Sequence, residues 1–159
     1  MQELLELLEK DHKQSLEELS LLLDRPKEIV AEQIRQLEAD KIIVKYHTII
    51  NWEKAGVDSV SAIIEVRITP QREVGFDAIA ERIYRFPEVR NLYLMSGAFD
   101  LLVMVEGKTM KEVALFVSTK LATIEGIVST TTHFVLKKYK EEGVIIEDRE
   151  KERRLVVTP

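Results

Sequence analysis

At residue 59 the apolar pattern of this chain changes period, and that change constrains the fold more than any other feature. Upstream, apolar residues recur at helical spacing: Leu4, Leu5 and Leu8, then Leu16, Leu19 and Leu22/Leu23, then Ile29/Val30, Ile34 and Leu37. Downstream, Val60, Ala62, Ile64, Val66 and Ile68 alternate with other residues and share one face of a strand. The switch predicts a helical unit followed by a sheet-containing one.

In the second half a helix is expected over residues 73–86, burying Val74, Phe76, Ile79 and Ile83. Strands follow near 89–96 and 100–106, then a helix over 109–122 burying Val113, Phe116/Val117 and Leu121. A last strand over 127–137 sets Val128, Thr130, Thr132, Phe134 and Leu136 against Ser129, Thr131, His133 and Val135. The order βαββαβ predicts a ferredoxin-like antiparallel sheet with both helices on one face, and the chain as a whole is α+β. Between the middle strands a tight turn is expected at Gly97-Ala98-Phe99-Asp100, where the glycine supplies backbone freedom and Asp100 sets a carboxylate at the end of an apolar ribbon. A small polar ligand can be held there. The sheet face without helices should carry Ile63, Leu102, Met104 and Val135, and an uncovered apolar face commonly marks an oligomer interface. Scattered surface hydrophobes are the alternative.

In the first half, Ser15 with Glu18 forms a capping-box pattern for the second helix, and Pro26 suits the first turn of the third. Asp24-Arg25-Pro26 forces a sharp turn, and the run from Ile42 to Trp52 reads as a small β-hairpin or extended arm. Helix, helix, turn, helix, wing is the layout of a winged helix-turn-helix; a three-helix bundle with a hairpin fits the same periodicity. The expected divisions are a winged helix-turn-helix with linker over 1–55, a βαββαβ unit over 56–140 and an extension over 141–159. The extension carries two β-like runs, residues 144–146 and 155–157, and can add a strand within its own sheet or across a dimer.

Composition excludes several chemistries. With no cysteine there are no disulfides, thiolate metal sites or cysteine nucleophiles. His12, His47 and His133 lack the spacing of a helical metal pair, the glycines lie singly, and no serine elbow occurs, so neither metal nor cofactor is expected. No apolar run approaches the roughly 18 residues needed to span a bilayer, and the acidic start is unlike an export signal, which points to the cytoplasm. The net charge of −5 is unevenly spread: residues 1–55 carry 8 basic and 12 acidic groups, 56–136 carry 8 and 10, and 137–159 carry 7 and 6. Nucleic-acid binding therefore requires a local basic patch.

The order of units resembles the Lrp/AsnC (feast/famine) transcriptional regulators over residues 1–140. The resemblance rests on Val30, Ile34, Leu37-Glu38, Ile42-Ile43, Tyr46 and Ile50-Asn51, on the G-x-x-D match at Gly97 to Asp100, and on Ile124-Glu125-Gly126-Ile127 before a threonine-rich strand. It implies a homodimer or higher even-numbered assembly and binding to double-stranded DNA at promoters. It also implies an amino acid or related metabolite as effector near Ser96, Gly97, Ala98, Phe99 and Asp100. Backbone N–H groups there can receive a carboxylate while Asp100 accepts from an ammonium.

The departures from that family cluster where DNA would be read: Gln33 stands in place of arginine, Pro26 of serine and Lys41 of glycine. The remaining candidates for DNA contact are Arg25 and Lys27 at the turn, Gln33 and Arg35 on the third helix, and Lys45 and His47 on the wing. Glu28 and Glu32 can instead pair with Arg35 or Lys27 along the helix. Two other readings stay open: a metabolite-sensing protein of this type that has lost DNA affinity, and a tetrapyrrole decarboxylase, for which no cationic and imidazole cluster is present.

Overall fold

Three short helices make the first unit: α1 (Gln2–Lys10), α2 (Leu16–Leu23) and α3 (Lys27–Ala39). In this computed structural model, which describes residues 1–69 and 75–146, the chain divides into a compact unit over Met1–Ile49 and a second beginning at Ile50. The division therefore falls before residue 55, and residues 50–55 belong with the second unit. The capping box forms as expected, the Glu18 amide donating to Ser15 Oγ at 3.2 Å and the Ser15 amide to Glu18 Oε2 at 2.7 Å. Asp24, with φ 49°, closes α2 in the left-handed region, and Pro26 sits at the N-cap of α3 rather than within its first turn.

Leu4, Leu8, Leu19, Val30 and Leu37 form the buried centre of this unit. Leu16, Leu22 and Ile29, expected on the buried stripes, are exposed. The eight residues of α2 make about two turns, and a core this small covers only a narrow stripe of each helix. Beyond α3 the amides of Ile42 and Ile43 donate back to Leu37 O at 2.9 and 3.0 Å, after which no strand occurs before Val60. The segment 42–52 is thus an arm and not a hairpin. Tyr46-His47 offers none of the glycine, asparagine or aspartate residues that dominate two-residue hairpin turns.

The second unit contains β1 (Val60–Ile68), α4 (Gly75–Tyr84), β2 (Val89–Leu94), β3 (Leu101–Gly107), α5 (Met110–Phe116), continued by a π-helical turn over Val117–Leu121, and β4 (Ile127–Phe134). The four strands form an antiparallel sheet in the order β2-β3-β1-β4, with Ile64 opposite both Val103 and Thr132. Ala62, Ile64, Val66 and Ile68 on β1 and Leu101, Val103 and Val105 on β3 bury one sheet face against Ile79 and Ile83 of α4 and Val113, Phe116, Val117 and Leu121. Both helices thus cover the same face, as the alternation predicts.

The register shifts between Arg67 and Ile68, where Ile68 lies opposite Ile127 after Arg67 lies opposite Ser129. Val128 falls in this bulge and is exposed, not aligned with Thr130 as strict alternation predicts. A short hairpin follows, β5 (Lys140–Glu141) and β6 (Val144–Ile145), joined by Glu142 (φ 48°) and Gly143 (φ 81°). Two central residues of positive φ are the signature of a type I′ turn. The extension so begins as a hairpin of its own, separate from the main sheet, and residue 140 lies inside it. Val74 and the run 155–157 lie outside the described residues.

Candidate functional site

The connection between β2 and β3 is longer than the tight turn expected. β2 ends at Leu94 and β3 starts at Leu101, so residues 95–100 form a six-residue loop closed by the Met95 amide donating to Asp100 O at 2.8 Å. Ser96, Gly97 and Ala98 are exposed, whereas Phe99 and Asp100 are partly buried. Gly97 is not in the left-handed region, and a Cβ built there would meet nothing within 4 Å. The chain's own backbone therefore does not require glycine at this position.

Asp100 does work the sequence did not reveal. Its amide donates to Val66 O at 3.0 Å, and its carboxylate Oδ2 accepts from the Ile68 amide at 2.8 Å. The side chain ties the loop to the end of β1, where the ladder between β1 and β3 stops at Val66 and Leu101. Asp100 is thus a clasp within its own fold, with at least one oxygen committed to backbone.

On the face away from the helices the structure brings together Ile63, Leu102, Met104 and Val135, all half-buried. Ile63 lies directly opposite Met104, and Leu102 opposite Glu65. The same face carries Tyr93, opposite Leu102, which sequence reasoning missed although its parity relative to Leu92 placed it there. Glu65 pairs with His133 Nε2 at 3.2 Å, and Glu106 pairs with Arg90 at 2.8 Å and Lys138 at 3.7 Å. The apolar patch is interrupted by these polar pairs.

A cleft of about 430 Å³ lies within the same unit. Its walls include Ile50, Trp52, Val57, Val135, Leu136 and Ile146, with Asn51, Asp58, Ser59, Ser61, Lys138 and Glu141 among the polar groups. Asn51 anchors it, its Nδ2 donating to Ile146 O at 3.2 Å and its Oδ1 accepting from the Lys54 amide at 3.0 Å. The lone tryptophan was the available signal for this cleft.

In the first unit the DNA-contact candidates are held by their own neighbours. Arg25 donates to Gln33 Oε1 at 3.3 Å and lies 3.6 Å from Glu3; Lys27 lies 3.6 Å from Glu17; Arg35 bonds Glu32 at 2.5 Å. Gln33 is half-buried and engaged by Arg25, so it does not simply face solvent. Lys27 pairs across to α2 and not along its own helix. On the arm, the Tyr46 hydroxyl donates to Glu38 Oε1 at 2.9 Å and its ring lies 5.9 Å from that of His12. Desolvation, with the Glu38 carboxylate second, raises the Tyr46 pKa above its ordinary value. Lys45 and His47, on either side of Tyr46 in sequence, are exposed.

Residues 61–145 match the Lrp/AsnC ligand binding domain. The uncharacterized HTH-type transcriptional regulator YugG of Bacillus subtilis is 47% identical over 99% of this chain and 95% of its own length. A proline dehydrogenase transcriptional activator of Rhizobium radiobacter is 25% identical over 89% of this chain and 90% of its own. The fold recurs in the transcriptional regulator NMB0573/L-Met complex from Neisseria meningitidis, with a TM-score of 0.71 at 23% identity, covering 87% of this chain and 88% of that one. A match over more than half the chain, and near-complete alignment with a relative at 47% identity, settle the family: the chain belongs to the Lrp/AsnC transcriptional regulators.

Proposed function

We propose that this protein is a cytoplasmic DNA-binding transcriptional regulator whose assembly or DNA affinity responds to an amino acid or related small metabolite. The observation that carries the reading is near full-length alignment with an HTH-type regulator, spanning both the three-helix unit and the ligand-binding-type unit. The partners are promoter DNA, a small effector and a second copy of the chain. Ile63, Leu102, Met104 and Val135 supply the apolar part of the contact between copies. The effector lies against the 95–100 loop, where the open space over Gly97 admits an approaching group. An effector alters DNA binding only as far as it favours one assembly over another, typically by about 1–3 kcal/mol.

One observation favours a second reading, a sensor without DNA affinity: Arg25, Lys27 and Arg35 each lie beside a carboxylate. The deciding experiment is retention of genomic DNA fragments on the immobilised protein at two salt concentrations, with and without a pool of amino acids. Discrete enriched fragments whose retention changes with the pool are expected. Thermal stabilisation by an amino acid with no fragment retained at either salt would establish the silent sensor instead.

A further inference from the structure

We propose that Glu3, Glu17 and Glu32 are determinants of DNA affinity, acting as internal counter-ions that a phosphate must displace. The inference rests on the DNA-binding reading. Each acid comes from a different helix, α1, α2 and α3, and each approaches one of the cations at the turn or on the helix that a helix-turn-helix presents to the groove. The pairs are Arg25 with Glu3, Lys27 with Glu17 and Arg35 with Glu32. The acid side chains are 74%, 71% and 65% exposed, so phosphate and carboxylate compete for the same guanidinium or ammonium in solvent.

Non-specific affinity comes from neutralising phosphates with free cations. Here three cations arrive already neutralised, on a unit that carries 7 basic and 11 acidic residues over 1–49. Exposed ion pairs are weak, so a phosphate held in register by base contacts elsewhere can replace the carboxylate, whereas a phosphate with no such support gains little. The acids thus lower the electrostatic part of DNA affinity.

The test is fluorescence anisotropy of the full-length protein on a mixed-sequence duplex of about 20 base pairs, across a salt series. Glu3→Gln, Glu17→Gln and Glu32→Gln are each expected to raise affinity about two- to fivefold. Each should also steepen the slope of log K against log salt by about 0.9, the signature of one added phosphate contact. Glu9→Gln, which removes an exposed carboxylate of α1, makes the same change in net charge and is the control. It should leave the slope unchanged. An equal rise and slope change in Glu9→Gln would reduce the effect to net charge and overturn the inference, as would a triple variant that binds no better than the parent. If neither parent nor triple variant binds any duplex at low salt, the DNA-binding reading falls with it; a parent that binds while the triple variant is unchanged sinks the counter-ion role alone.

Discussion

The two units are held together by different means. The second packs two helices on one face of a four-stranded sheet, and its buried cluster draws on every strand of the main sheet except the edge strands β2 and β4, whose apolar residues pack around it. The first has five buried residues in three short helices and adds links between them: the Arg25 bridge to Glu3 and Gln33, and the Lys27–Glu17 pair. Surface pairs of this kind contribute at most about 1 kcal/mol each. The contrast shows that in the first unit Arg25 and Lys27, two of the groups that would meet DNA, also connect its helices, whereas in the second the core forms without the apolar sheet face and Asp100 ties the 95–100 loop to β1.

The largest expected effect follows from that difference. Leu37→Ala empties the centre of the small core, where Leu37 is 2% exposed, and should cost about 2–5 kcal/mol. A core of five residues has little reserve, so the first unit should lose protection of its helical amides while the sheet keeps its own. Ile83→Ala, at a residue with no exposure in the larger core, carries a similar local cost and should leave the second unit folded. Hydrogen exchange resolved by segment checks both. Retained protection over residues 2–39 in Leu37→Ala would break the contrast.

How far the sequence was legible differs in the same way. In the sheet unit, period-two alternation predicted the buried face of β1 residue by residue, because a strand buried on one face has only two choices of orientation. It failed at Val128, where the bulge inserts a residue and periodicity carries no sign of it. In the helical unit Leu16, Leu22 and Ile29 fit a helical stripe yet remain exposed, since a stripe does not say how wide the neighbouring surface is. The loop motif was visible in sequence, but the use of Asp100 was not. Its partner, the Ile68 amide, lies 32 residues away and is brought near only by pairing of β1 with β3.

Asp100 gives the next effect. Asp100→Ala orphans the Ile68 amide and should lower stability by about 1–3 kcal/mol, measured by chemical denaturation of the second unit. Asp100→Asn keeps an acceptor oxygen and should recover part of that loss. If effector response disappears in both while stability is lost only in the alanine variant, the carboxylate charge serves the ligand as well as the fold. Loss of response tracking loss of stability would make Asp100 a clasp alone.

A smaller effect separates the units by pH. The Lys120 ammonium hydrogen-bonds Glu88 at 2.5 Å and holds its pKa below the ordinary value despite partial burial, which acts in the opposite direction. A carboxylate depressed in the folded state contributes stability above its unfolded pKa, near 4.5, and loses it as pH falls through the folded value. Lys120→Met should therefore cost the second unit about 1 kcal/mol at neutral pH, and the difference from the parent should shrink as acid protonates Glu88. Denaturation at pH 7 and pH 3.5 makes the comparison, and a pH-independent difference would assign the loss to the Lys120 ammonium over the Phe86 and Phe116 rings, 5.8 and 6.0 Å from their centroids.

The smallest effect tests a departure from the family pattern. Lys41 stands where the family resemblance leads one to expect glycine, and it is left-handed, with φ 56°, just after the C-cap Asp40 of α3. Its amide donates to Glu38 O at 3.1 Å and that of Ile42 to Leu37 O at 2.9 Å, so the helix end requires this backbone conformation whatever the side chain. A non-glycine residue there carries roughly 1 kcal/mol of strain, whereas glycine adds about 0.5 kcal/mol of unfolded-state entropy. Lys41→Gly should therefore stabilise the first unit by about 0.5 kcal/mol, visible as slower exchange in α3, and leave the second unit unchanged. Lys41→Ala removes the same charge without relieving the strain and should give no gain. An equal gain from alanine would mean that charge, and not backbone geometry, set the cost of this departure.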